Sequence, residues 1–245
     1  MKKIFLFLIV IAGFWGCANS VNTANLTPEE YLNYAISLYN DEDYLESIKE
    51  FQSILLQFPG NAISDDAQYY LALSHFGQHE YILGAYEFSR LIKDMPASDF
   101  VPKAQFMLAE SYFQLSPRYQ LDQKYTKKAI EEFQAFIDFF PTDAKVPEAE
   151  AKIAELNNKL AEKEFNNAVI YEKLGYTNAA IFYYNSVTET YHDSKFCPQA
   201  MYSKIKLLLS KNDKDKAKKD IAAFLQKFPA DPNAEEIKNL QASLN

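Results

Sequence analysis

The sequence predicts an all-α protein, a right-handed α-solenoid of five helix-turn-helix repeats closed by a C-terminal capping helix. Three observations carry this reading. Glycine is scarce, 6 of 245 residues, while Tyr 17, Phe 19 and Trp 1 make the chain 15% aromatic. Such a backbone seldom needs a positive φ and has large side chains to bury. From Leu26 onward one pattern keeps returning: an Ala flanked by aromatics, a helical run, and a closing Phe-Pro or its equivalent. The closing residues Pro59, Pro96, Pro141, His192 and Pro229 stand 37, 45, 51 and 37 residues apart, the spacing of one unit with two insertions. No segment reads as a β-strand.

The unit resembles the tetratricopeptide repeat, a pair of helices (A and B) that pack through small and large residues at fixed offsets. Repeat one starts at Thr27-Pro28-Glu29-Glu30, a capping box with Pro at the first helical position. It supplies Tyr31, Tyr34, Ala35 and Leu38 from helix A, and Ser47, Phe51 and Ile54 from helix B. Repeat two supplies Leu71, Ala72 and His75, then Gly84, Phe88 and Leu91. In repeat three Leu108, Ala109 and Tyr112 come on time, but helix B starts late, with Ala129, Phe133 and Phe136. Ahead of repeat four, Pro147 to Lys163 place Ile153, Leu156 and Leu160 on one face without Gly or an internal Pro, which extends that repeat's helix A. Repeat four itself supplies Ala168, Tyr171, Ala180, Tyr184 and Val187. Repeat five supplies Ile205, Leu208, Ala217, Ile221 and Phe224, with Lys204 off the pattern. Asp231-Pro232 opens a last helix whose stripe Ile237, Leu240 and Leu244 caps the array.

Residues 1–16 form a signal peptide: Lys2 and Lys3 precede an apolar run, Ile4 to Ala12, that is too short to span a bilayer. Cys17, behind Gly16, resembles the acylated cysteine of a bacterial lipobox, and residues 17–26 then form a polar, lipidated tether. Attachment to membrane lipid is expected through acylated Cys17. Cys197 would be left as a lone thiol, read as a small core residue.

Charge and motifs exclude several function classes. With 25 basic and 33 acidic residues, net −8, and no basic stripe, the chain is not expected to bind nucleic acid. The six glycines form neither GxGxxG nor GxxxxGK[ST], so no phosphate-cradling loop is expected. His75 and His79 have metal-compatible i, i+4 spacing, but no third ligand is evident and Glu80 is expected to point elsewhere, so no metal or other cofactor is assigned. The acidic residues scatter along solvated helix faces, and no catalytic residue is assigned. The lysines between Lys211 and Lys219 alternate with Asp213, Asp215 and Asp220, as in a soluble turn and helix start.

The late start of helix B in repeat three is an insertion, Ser116-Pro117-Arg118-Tyr119-Gln120-Leu121-Asp122-Gln123-Lys124-Tyr125-Thr126-Lys127-Lys128-Ala129-Ile130. With its Leu-Asp-Gln before a Thr and a Lys-Ala-Ile, it resembles the segment at the same place in the BamD family of outer-membrane assembly lipoproteins. The resemblance implies a non-enzymatic lipoprotein of the outer membrane of a diderm bacterium, facing the periplasm and working in the β-barrel assembly machinery. It further implies two kinds of protein partner. Repeats one to three, residues 27–141, would bind unfolded outer-membrane β-barrel proteins through a C-terminal, strand-like signal ending in an aromatic residue. Residues 142–245, the long helix with repeats four and five, would dock on the periplasmic domains of a BamA-type barrel subunit. Another periplasmic adaptor, for cell-wall synthesis, division or pilus assembly, would share the repeats but lack the insertion.

A receptor for such a signal needs an apolar groove. Helix A positions on the inner face of repeats one to three are Leu32, Ile36, Tyr39, Tyr69, Leu73, Phe76, Phe106, Glu110 and Phe113, eight of nine apolar or aromatic. They are read as a shared groove, the competing reading being that they complete the core.

Overall fold

The computed structural model describes residues 22–244. The expected signal segment 1–16, the expected acylation site Cys17 and the first half of the expected tether lie outside the described residues. Within them stand eleven α-helices and no strand. The pairs are α1 (Pro28–Asn40) with α2 (Tyr44–Gln57), α3 (Ser64–Gly77) with α4 (Tyr81–Asp94), and α5 (Val101–Leu115) with α6 (Lys124–Phe139). Then come α7 (Val146–Lys173) with α8 (Thr177–Thr190), α9 (Cys197–Ser210) with α10 (Lys214–Lys227), and the final α11 (Ala234–Ser243). Each helix packs on the next in chain order, which is the tetratricopeptide solenoid. No helix of the described residues is long and apolar enough to cross a membrane.

The Thr27 capping box forms as its residues require: Thr27 Oγ1 accepts the Glu30 N–H at 3.3 Å, and Glu30 Oε2 accepts the Thr27 N–H at 2.9 Å. All five B helices end alike. Phe58, Met95, Phe140, Tyr191 and Phe228 take φ between −131° and −113° and ψ between 41° and 56°. A following proline disfavours the helical region for the residue before it. Tyr191 adopts the same geometry ahead of His192, so the bend belongs to the repeat and proline only reinforces it.

Scarce glycine does not mean scarce positive φ. The A-to-B turns of repeats one, two, four and five pass through Glu42, His79, Gly175 and Asn212 at φ of 60° to 78°. A single left-handed residue after a helix turns the chain so that the N–H groups there donate back to its last carbonyls, as Asp43 does to Leu38 and Glu80 to His75, and three non-glycine residues bear that strain here. Asp231-Pro232 likewise does not cap the last helix. That helix begins at Ala234, and the Asp231 carboxylate instead accepts the Asn233 N–H at 2.8 Å to close the preceding turn. The stripe itself is in place: Ile237 is buried, and Leu240 and Leu244 pack beside it on Ile205, Ile221 and Phe224.

Between the helices of a pair, small residues meet large ones. Ala35, Ala72, Ala109 and Ala168 on the A helices are fully buried, as are Phe51, Phe88, Phe133 and Phe224 on the B helices.

The long helix α7 serves two repeats. Its first half supplies Ala149 and Leu156 to the core of repeat three, with Phe106, Phe133 and Phe136. Its second half supplies Ala161 and Ala168 to the core of repeat four, with Ala180, Tyr184 and Val187. The interval from Pro141 to His192 exceeds the 37-residue unit by fourteen residues. At 1.5 Å per residue the array therefore steps ~21 Å along α7 before it resumes, and fourteen residues at 3.6 per turn return to within about 40° of the same face. The core of repeat three consequently extends past residue 141 into α7.

Candidate functional site

Two of the eight groove residues belong to the core. Leu32 is 8% exposed and packs with Tyr31, Ala35 and Phe51, while Phe106 is 3% exposed and meets Phe133 and Phe136 edge-on at 5.6 and 5.4 Å. Each is covered because neighbouring helices close over its position. Ile36 packs half-buried on the core of repeat one.

Tyr69 also turns into the packing between repeats. Its ring stacks on Phe100 at 4.6 Å and tilts against Phe88 at 5.9 Å, and burial pushes its hydroxyl up to about 12. Phe113 lies against Phe133, and the Lys152 ammonium of α7 sits over its ring at 4.1 Å. The same ammonium pairs with Glu110 at 2.8 Å. The first half of α7 thus covers the inner face of repeat three.

Tyr39, Leu73 and Phe76 remain together at an open surface. They line a concavity of about 480 Å³ with Tyr44, Tyr81, Met107 and Gln114. Aromatic contacts hold its walls: Tyr39 meets Tyr44 at 5.7 Å and Tyr70 at 5.4 Å, and Phe76 meets Tyr81 edge-on at 5.1 Å. Gly77 at the end of α3 lets the Tyr44 ring pack directly against it, since a Cβ there would come within 2.6 Å of that ring and push it aside. Tyr44 and Tyr81 escape a count restricted to A helices because they open the B helices α2 and α4. Their signal was available, an aromatic at the first position of two successive B helices, 37 residues apart.

His79 lines this concavity, but the two histidines do not converge. The helix ends at Gly77, so the i, i+4 relation fails: His79 sits at φ 61° in the turn and its Nδ1 bonds Tyr81 Oη at 2.7 Å. Glu80, expected to point elsewhere, reaches back to His75 Nδ1 at 2.7 Å.

The insertion in repeat three is a tightly bonded loop. Gln123, 5% exposed, donates to the Arg118 and Leu121 carbonyls at 3.0 Å each and accepts from Thr126 Oγ1 at 2.7 Å. From α7, Lys159 reaches Ser116 Oγ at 2.9 Å and Lys163 the Leu121 carbonyl at 2.6 Å. The Leu-Asp-Gln motif therefore locks the loop, and the long helix holds it down.

Several apolar side chains are exposed near the end of α7 and on α8. Ile170, Leu174, Tyr176 and Phe182 are each more than half exposed. Cys197 is buried, which pushes its thiol up and leaves it a core residue.

Comparison with known proteins follows the same outline. A family model described as YfiO, outer membrane lipoprotein, matches residues 25–203. The outer membrane protein assembly factor BamD of Caulobacter vibrioides is 28% identical over 110 residues, covering 45% of this chain and 36% of that relative. The match thus spans about a third of the relative's length. Among solved structures, a thermophilic TPR protein of Thermus thermophilus is 17% identical with a TM-score of 0.38, covering 89% of this chain and 98% of that one. The TPR2AB domain of yeast Sti1, solved in its pHSP90 complex, is 13% identical with a TM-score of 0.41 over the same shares.

Proposed function

The chain belongs to the YfiO family of outer membrane lipoproteins, and we propose that it is a non-enzymatic component of the machinery that assembles outer-membrane β-barrel proteins. In this reading it is anchored through acylated Cys17 and faces the periplasm. Its first three repeats receive the aromatic C-terminal signal of unfolded barrel proteins, and repeats four and five dock on the periplasmic domains of a BamA-type subunit.

The observation that carries the receptor role is the aromatic concavity of Tyr39, Leu73 and Phe76. It is open and largely aromatic, so an aromatic side chain exchanges water for ring contacts on entry. Apolar burial at about 25 cal/mol per Å², less the cost of ordering a peptide, suits micromolar binding. The exposed apolar side chains of Ile170, Leu174, Tyr176 and Phe182 support partner docking on the C-terminal side.

Single substitutions test the receptor role. Phe76→Ser is expected to weaken binding of a barrel protein's C-terminal peptide at least fivefold in fluorescence titration, with little change in melting temperature. Tyr69→Ser is expected to do the reverse, costing about 3 kcal/mol of stability. Equal affinity for wild type and Phe76→Ser would refute the receptor role.

A further inference from the structure

A second cleft, of about 410 Å³, lies apart from the aromatic concavity, between α6, the first half of α7 and the turn joining α8 to α9. It exists because of the step along α7: repeat four resumes down the helix and leaves the space beside its upper half open.

The turn beside it is built differently from its counterparts. After the other four B helices, the side chains of Asn61, Ser98, Asp143 and Asp231 accept the N–H two residues ahead, at 3.2, 3.1, 2.8 and 2.8 Å. Ser194 holds the equivalent place in repeat four without making that bond. The turn is held from outside instead, by Asn158 Oδ1 of α7, which accepts the Lys195 N–H at 2.9 Å. Ser194 is 8% exposed, lines the cleft, and its hydroxyl has no hydrogen-bond partner in the protein. A buried hydroxyl left this way favours any ligand that bonds it.

The remaining lining defines that ligand. Ile137, Ile153 and Ala154 give the cleft an apolar floor, and Asn157 and Thr190 place neutral amide and hydroxyl groups beside Ser194. Glu150 and Asp193 add carboxylates, the latter paired with His192 at 2.8 Å and Lys227 at 3.4 Å. Groups that both donate and accept match a peptide main chain, the floor matches an aliphatic side chain, and the Glu150 carboxylate disfavours anions.

We propose that this cleft binds a short extended segment of a partner protein, neutral or basic, which seats an aliphatic side chain on Ile137 and Ile153 and bonds Ser194 through its main chain. The site is independent of the aromatic concavity and of the signal assigned to it.

The test uses the full mature chain, isotopically labelled, titrated with acetyl-Gly-Leu-Lys-Gly-amide and followed by NMR. Saturable shifts are expected at the amides of Asn157 and Thr190 to Ser194, at least tenfold tighter than with Ser in place of Leu or Glu in place of Lys. Ala154→Trp, at an exposed position, is expected to abolish saturation without moving the melting temperature, and Ser194→Ala to weaken binding at least threefold. Equal response to the three peptides, saturation retained in Ala154→Trp, or no saturation by any peptide would each overturn the proposal.

Discussion

Repeats one to three and repeats four to five share one helix-pair template but link their helices with different polar chemistry. In the first group a donor on helix A reaches a glutamate on helix B. Tyr31 Oη donates to Glu50 at 2.5 Å, Gln68 Nε2 to Glu87 at 2.7 Å and Gln105 Nε2 to Glu132 at 2.9 Å. In repeat four the roles are reversed and the positions change: Tyr184 Oη on α8 donates to Glu172 on α7 at 2.7 Å. In repeat five Asp220 holds the glutamate's place and takes the buried Lys204 as partner at 3.0 Å. The template therefore specifies that a buried polar group be answered, and leaves open by which residue. The two groups meet on α7, where the first finishes its core and the second begins its own.

Cutting that junction carries the largest expected effect. A fragment ending at Pro141 lacks Ala149 and Leu156 and exposes Phe106 and Phe136, so repeat three is expected to lose cooperative folding. A fragment ending at Lys163 retains those residues and is expected to unfold in a single transition by circular dichroism. Equal melting of the two fragments would show that repeat three does not depend on α7.

The next test concerns Lys204, which stands where repeats two and three have Leu71 and Leu108. Its side chain is 6% exposed, so removing it alone strands Asp220, and Lys204→Ala is expected to cost about 3–5 kcal/mol in urea unfolding. Lys204→Leu combined with Asp220→Asn restores the apolar pattern and is expected to recover most of that loss.

The smallest effect belongs to Glu164. Burial holds its carboxyl above the ordinary carboxylate range, against the opposing pull of Lys127 and Lys163. A carboxyl raised on folding binds its proton more tightly in the folded state, so its charged form weakens the fold at neutral pH. That penalty is relieved as pH falls through the raised value toward the unfolded one. Glu164→Gln is expected to raise the melting temperature slightly at pH 7, with the gain over the parent vanishing toward pH 4.

Much of this architecture is legible in the sequence because its causes are local. Helical periodicity, the Thr27 box and the closing residues act within a few positions of the chain. So does the run from Pro147 to Lys163, which needs only the absence of helix breakers. The insertion was legible too, since Gln123 and Thr126 lock it from within the same segment.

Tertiary packing decided which inner-face residues stay open. Leu32, Tyr69 and Phe113 belong to the same inner-face pattern as Tyr39, Leu73 and Phe76, and Phe113 shares the offset of Tyr39 and Phe76, yet only the latter three line the concavity. The difference arises from what the next helix places over each position, Phe100 over Tyr69 and Lys152 over Phe113. Periodicity states which face of a helix is apolar. Whether that face meets another helix or a ligand depends on residues tens of positions away, which the local period of the helix does not encode.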